Sequence, residues 1–289
     1  MKLQKILNKF QKLHSRKIDD LSLDRIRLLM SALGNPQDKI NCIQICGTNG
    51  KGSSISFLRS ILKEANYKCN VYTSPHVISI NERFIYNDEM ISDDNLADLL
   101  NEVHEVNNGK PLTYFEALTA SFFLGCMKYK NNIVLAEFGL FGRGDAVNIL
   151  KKNLANCISS ISYDHLDWLP ENDRTIERII YEKTSSLLNS NIIVAKQNSN
   201  KIVECIKKNI SNNSANKIFY KEDYNFVLKE NDFFFYEDQY GSLKIPKPSI
   251  KGDFQLENAS TAIATLRTLK DLNIQDQHII EGVKKAHNT

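Results

Sequence analysis

The sequence predicts an α/β protein: a mostly parallel sheet with helices on both faces and a small antiparallel edge sheet. Three observations carry this. Short apolar runs alternate with segments whose apolar residues recur at helical spacing. Four of those runs end in loops or helices carrying glycine, acid, histidine or lysine. After about residue 222 the pattern gives way to aromatic alternation, as in hairpins.

Taken in order, residues 1–39 form a helical lead-in and 40–289 the α/β core, read as one continuous domain. The opening "MKLQKILNKFQKLHSRKIDDLS" is amphipathic, without the apolar core or cleavage site of a signal peptide. "INCIQIC" (40–46) reads as a buried strand, and Ile55, Leu58, Ile61 and Leu62 as the face of the next helix. "CNVYTS" is a second strand, followed by an irregular "PHVISINERFIYNDEMIS". Asp93 and Asp94 open a helix, and "TYFEALTASFFLGCMKY" is a helix buried on most sides. "NIVLAEFGLFGRGDAVN" and "NCISSISYDHLDWL" each read as a strand running into a polar loop. A helix from about Thr175, the strand "NIIVA", a helix around "KIVECIKKNI" and the strand "KIFY" complete the alternation. In "YNFVLKENDFFFYEDQYGSLKIP" the breaks "END" and "YGS" suggest hairpins. "FQLENASTAIATLRTL" and "DQHIIEGVKKA" return to helix.

The 289 residues suffice for a substantial core, and 42% hydrophobic with 25% charged residues is ordinary for a globular protein. A net charge of +3, with lysines scattered among acids, argues against a nucleic-acid partner. No run approaches the roughly 18 apolar residues of a membrane span. Six cysteines, none in a C-x-x-C pair, suggest buried thiols in a reducing compartment and a cytoplasmic protein.

Ligands of open α/β sheets bind outside the carboxyl ends of the strands. The first such loop, "ICGTNGKGSS" (45–54), departs from the usual phosphate loop, because Gly52 separates Lys51 from Ser53. Such strand–glycine–helix turns also occur without ligands. Glycine, lysine and hydroxyl together favour a phosphate: backbone amides and the helix dipole attract the anion, Lys51 neutralises oxygens, and Ser53 can ligate Mg²⁺. The second loop carries Glu137, Arg143 and Asp145; these form either a surface ion pair or, for Glu137 opposite Ser53, an oxygen site for magnesium. The third places Asp164, His165 and Asp167 within four residues, a metal or catalytic set unless the histidine is structural. Glu182 and Lys183 follow on a helix, where such a pair is ordinarily solvated surface.

Together these motifs resemble folylpolyglutamate synthase/dihydrofolate synthase, a branch of the Mur ligase superfamily with a P-loop NTPase-like central domain. "GTNGKGS" matches that family's loop at all seven positions, so Gly52 belongs to its pattern. "MSALGNPQ", "TSPHVISINERFIYNDEMIS", "TYFEALTASFF", "EFGLFGRGDAVN" and "YDHLDWL" with "EK" downstream follow in family order. The resemblance implies ATP-dependent amide formation: a pteroate or folate carboxylate takes the γ-phosphate of ATP, and the amine of L-glutamate attacks the acyl phosphate. It assigns Gly47, Thr48, Asn49, Gly50, Lys51, Gly52, Ser53, Ser54, Gln255 and Asn258 to ATP. Ser53 and Glu137 are assigned to one Mg²⁺, and His165 to a second, with Lys183 a carbamylated ligand; Lys51, His165 and Lys183 form the catalytic set. Ser74, Pro75, His76, Asn81, Glu82 and Arg83 are assigned to substrate, and a monomer is expected.

Departures are Phe141 for a glycine, Val147 for a threonine and Phe254 for a histidine. Phe141 either crowds the phosphates or faces outward. The chain ends at "KKAHNT", before the family's tryptophan-proline-glycine-arginine segment and glutamate-ligase domain. This chain alone is therefore expected to bind Mg-ATP and turn over poorly, since closure excludes water from the acyl phosphate. The alternatives are another Mur-type amide ligase and a non-catalytic nucleotide-binding remnant.

Overall fold

The computed structural model describes residues 2–13, 22–230 and 232–287; the middle of the amphipathic opening, Asn231 of the expected "END" break and the last two residues lie outside them. Helices α1 (Lys2–Leu13) and α2 (Asp24–Ala32) form the lead-in. The core begins with β1 (Asn41–Cys46), α3 (Lys51–Glu64) and β2 (Cys69–Tyr72). The hairpin β3 (Phe84–Tyr86) and β4 (Glu89–Met90) precedes α4 (Asp93–Asn107) and α5 (Tyr114–Cys126). Then come β5 (Ile133–Glu137), β6 (Ala155–Ile158), α6 (Ile176–Thr184), β7 (Asn191–Val194), α7 (Asn200–Asn209) and β8 (Lys217–Phe219).

These eight strands form one sheet in the order β4-β3-β2-β5-β1-β6-β7-β8. β2, β5, β1, β6, β7 and β8 are parallel, and only the β3–β4 edge is antiparallel. Order within the sheet reverses around β1, so the loops after β1, β5 and β6 converge. Alternation along β1 divides the core. Cys42 and Cys46 face the cluster under α1, α2, α4 and α5; Ile43 and Ile45 face the one under α3 and the C-terminal helices.

One local finding differs from expectation. The segment read as irregular contains the β3–β4 hairpin, turned by Asn87 and Asp88, both with positive φ (54° and 69°). That is the twist a two-residue hairpin needs, and Asn and Asp tolerate it. The aromatic segment forms the expected small antiparallel sheet, of three strands and separate from the large one: β9 (Tyr224–Glu230), β10 (Phe233–Asp238) and β11 (Gly241–Pro246). Its buried Phe234, Tyr236 and Ile245 join the cluster under α8 (Gln255–Arg267) and α9 (Asp276–Lys285). Gly282 lets α9 approach α3 closely, because a Cβ there would lie 2.5 Å from Ile61 Cα. No described helix is long and apolar enough to cross a membrane.

Candidate active site

The glycine loop joins β1 to α3 and is pinned from one side. Thr48 and Asn49 amides both donate to the Ser160 carbonyl (2.9 and 3.1 Å), and Thr48 Oγ1 donates to Ser162 O. Two glycines are obligatory here. Gly47 has φ +129°, and a Cβ would sit 2.1 Å from Ser159 Oγ; Gly50 has φ +87°, and a Cβ would sit 2.3 Å from Asn258 Oδ1. The amides left for an anion are those of the first turn of α3, which have no intrahelical acceptor. Ser53 Oγ accepts from Gln255 Nε2 (3.3 Å), and Asn258 Nδ2 donates to Gln255 Oε1 (3.0 Å). The expected nucleotide residues of α8 thus meet the loop. Thr48 and Asn49 brace the loop through their amides, and Ser54 is buried beneath it.

Three charged side chains lie around this loop, with Glu137 and Lys183 buried and Lys51 partly so. Lys51 Nζ donates to Thr48 O (3.0 Å) and lies 3.6 Å from Glu137 Oε1. Burial raises the Glu137 carboxyl above its ordinary range, against the pull of Lys51 and the Ser74 amide. Lys183 is 2% exposed, not the solvated surface its sequence context suggests. Its Nζ donates to Gly47 O (2.9 Å) and Leu140 O (3.0 Å), and burial, with Lys51 nearby, lowers it to about 8. His165 adopts φ +54° at the start of a short turn; its Nε2 lies 3.2 Å from Asp164 Oδ2. Phe141 is fully buried, edge-on to His165 (5.9 Å), with Lys183 Nζ 5.6 Å from its ring centroid. Its ring thus packs against both groups. Phe254, in contrast, is exposed.

A cavity of about 400 Å³ opens beside the loop. Of the expected substrate residues, Ser74, Pro75 and Arg83 line it. The others hold their segment in place. Glu82 accepts from the amides of Val77, Ile78 and Ser79, Asn81 donates to Ile91 O and Asp93, and His76 Nδ1 accepts from Arg83 Nε at 2.8 Å. Burial, then Arg83, lowers His76, which keeps that acceptor neutral.

The sequence reading did not assign Arg25, Phe115, Glu116 or Trp168 to a site, yet all line the cavity, as does Asp145. Asp145 is 2% exposed and accepts from Leu140 N (2.8 Å) and Val147 N (2.9 Å), while burial raises it to about 6. A signal for Asp145 existed, an acid in a glycine loop after an apolar strand. Arg25 and Trp168 come from distant segments that only the fold brings together.

Among the described residues no three His, Cys, Asp or Glu side chains converge on a metal site. The donors that do approach are oxygens. Ser53 Oγ and Glu137 flank Lys51, and Ser74 Oγ, buried next to Glu137, has no hydrogen-bond partner among the described residues. That donor set suits a hard cation such as Mg²⁺. Lys183, as a free amine, is a donor and not a ligand.

The geometry defines an α/β domain with a glycine loop and a cavity at the same end of its sheet. Residues 45–266 match the Mur ligase middle domain, and the chain belongs to that family. It is 31% identical over 282 residues to the dihydrofolate synthase/folylpolyglutamate synthase of Bacillus subtilis, a match covering 91% of this chain and 64% of the relative. The Escherichia coli protein of the same name is 29% identical over 283 residues, covering 97% and 64%. The solved structure of E. coli FolC in complex with DHPP and ADP superposes with TM-score 0.86 at 30% identity, covering 98% of this chain and 66% of that one. A bifunctional synthase from Yersinia pestis, complexed with AMPPNP and Mn ion, has TM-score 0.86 at 26% identity, covering 99% and 66%. The chain thus spans slightly under two thirds of the length of these relatives.

Proposed function

We propose that this chain is the ATP-binding part of a ligase that joins L-glutamate to dihydropteroate, to reduced folates, or to both. The carrying observation is the wall shared by phosphate loop and cavity. Glu137 contacts Lys51 through one oxygen and the Ser74 amide (3.3 Å) through the other, and Ser74 lines the cavity. A carboxylate held in the cavity therefore ends beside the phosphates. Phosphoryl transfer is mostly positioning and charge neutralisation. The α3 amides and Lys51 orient the γ-phosphate, and a substrate carboxylate oxygen attacks it, breaking the β–γ bond so that ADP leaves and an acyl phosphate forms. The amine of L-glutamate then attacks the acyl carbon and phosphate leaves.

The ordered edge of a pterin, with its N–H donors, matches the buried Asp145 carboxylate, and Phe115 offers a ring to stack on. Ser53 and Glu137 would hold one Mg²⁺. His165 and a carbamylated Lys183 would serve a second, since an amine lowered to about 8 is partly neutral and nucleophilic towards CO₂ near neutral pH. The ions would supply further neutralisation of phosphate charge. The same reading makes the protein a cytoplasmic monomer acting on small molecules.

Calorimetry tests it, with 7,8-dihydropteroate and tetrahydrofolate each titrated in the presence of Mg²⁺ and a non-hydrolysable ATP analogue. Micromolar binding of either supports the folate reading, and their ratio ranks the two activities. Nucleotide binding without either pterin refutes it in favour of a nucleotide-binding remnant.

A further inference from the structure

We propose that Glu182, acting through Arg143, is a positioning residue that couples the phosphate loop to the substrate cavity. Only the identity of the cavity ligand rests on the ligase reading. Lys183 Nζ bridges the carbonyls of Gly47, in the phosphate loop, and Leu140. The next contact along this line is the Leu140 amide, which donates to Asp145 Oδ2 in the cavity. One residue, Leu140, therefore joins the cation under the phosphates to the carboxylate under the substrate.

What holds Leu140 in place is the seating of its loop on α6. Glu182 is 1% exposed and accepts from Arg143 Nε (2.8 Å), Arg143 Nη2 (2.9 Å) and Arg178 Nη2 (2.6 Å). Its carbonyl accepts from the Arg143 amide (2.8 Å), so side chain and backbone of Arg143 are both fixed to one residue. Gly142 permits the approach: a Cβ there would meet the Lys183 carbonyl at 2.5 Å. Farther along, Asn148 Nδ2 donates to Gly142 O and to Ser186 Oγ (both 2.8 Å). The bidentate Arg143–Glu182 fork has the geometry that fixes orientation as well as distance. Glu182 and Lys183 point to different partners from adjacent positions, so the clamp also sets where Lys183 begins.

Coupling of this kind is a ratio, measurable apart from stability. The test uses Arg143→Ala, because Arg143 is half-exposed and Glu182 keeps Arg178 after its removal. Amide hydrogen exchange at Leu140 is followed with and without saturating Mg²⁺ and a non-hydrolysable ATP analogue. In the unaltered chain the analogue slows Leu140 exchange by at least about fivefold, the lower end of ordinary coupling factors. In R143A the slowing falls below about twofold, and in R143K, which offers a single point charge in place of a fork, it is intermediate. G142A, which keeps every charge but pushes the loop off α6, reproduces R143A.

Undiminished slowing in R143A and G142A, or no slowing in the unaltered chain, overturns the proposal. Calorimetry on the same samples then reads the ratio of dihydropteroate affinities with and without nucleotide, which drops towards one in R143A. Loss of dihydropteroate binding in the unaltered chain, with Leu140 still slowed, refutes the ligase reading and supports the coupling.

Discussion

Asp145→Asn is expected to remove a pH-dependent cost of folding together with the charge that the cavity offers a ligand. Asp145 is buried, and its carboxyl is raised from 3.8 to about 6 by burial, which outweighs three backbone amides that favour the anion. The sign follows from proton binding. Below pH 4 the folded and unfolded chains both hold the proton, and Asp145 costs nothing. Between 3.8 and about 6 the folded chain keeps a proton that the unfolded chain has released, so stability falls as pH rises. Above about 6 the penalty is complete, at about 3 kcal/mol for a shift of this size at 1.36 kcal/mol per tenfold. Asparagine is neutral at every pH, as the protonated acid is, but its nitrogen only donates, so one of the backbone amides that Asp145 accepts from loses its acceptor. That lost bond is a fixed cost, and on top of it the stability of D145N relative to the unaltered chain is expected to rise by about 3 kcal/mol between pH 4 and pH 7. Urea unfolding at pH 4, 5, 6 and 7 reads the difference between the two chains, in which other titrating groups cancel. A difference that stays flat over this range, or that moves in favour of Asp145 as pH rises, refutes the burial argument. The relative gain in stability is expected to come with loss of dihydropteroate binding, the usual exchange at a site built for ligand and not for folding.

Gly50→Ala forces a methyl into the left-handed region against Asn258 and is expected to weaken binding of an ATP analogue at least about tenfold by calorimetry. Restoring glycine at position 141 removes a fully buried ring; F141G is expected to lose roughly 3–5 kcal/mol in urea unfolding without tightening the nucleotide. Tighter binding would instead show that Phe141 crowds the phosphates. Five of the six thiols are buried and free, and Cys205 alone is partly exposed. Native alkylation followed by mass spectrometry should therefore label one cysteine before unfolding and six after.

The parallel sheet was legible because its strands are buried on both faces and read as continuous apolar runs, such as "INCIQIC" and "NIVLAE". The β3–β4 hairpin was not, because its strands have three and two residues, too few for periodicity to register. Its one cue was the Asn87-Asp88 turn. The aromatic alternation announced hairpins correctly. Whether they would extend the large sheet or stand alone depended on α8, whose buried face supplies the surface that Phe234 and Ile245 cover.

The site shows the same division more sharply. The glycine loop is a local device: its turn and the free amides at the start of α3 are neighbours in sequence, so seven consecutive residues carry the whole signal. The cavity is assembled from five segments, and most of the residues they contribute are unremarkable alone. Arg25 sits in a short helix, Phe115 in an apolar helix and Trp168 in a turn. The Glu182–Lys183 pair illustrates why spacing misleads here. Neighbours on a helix point about 100° apart, which ordinarily leaves at least one in solvent. In α6 both are buried, because the loop after β5 folds over the helix and meets Glu182 with Arg143 on one side and Lys183 with Leu140 O on the other. Without the loop, both charges would be solvated, as the sequence suggests. Their function is therefore a property of the contact between loop and helix, and that contact exists only once β1, β5 and β6 have brought their carboxyl ends together.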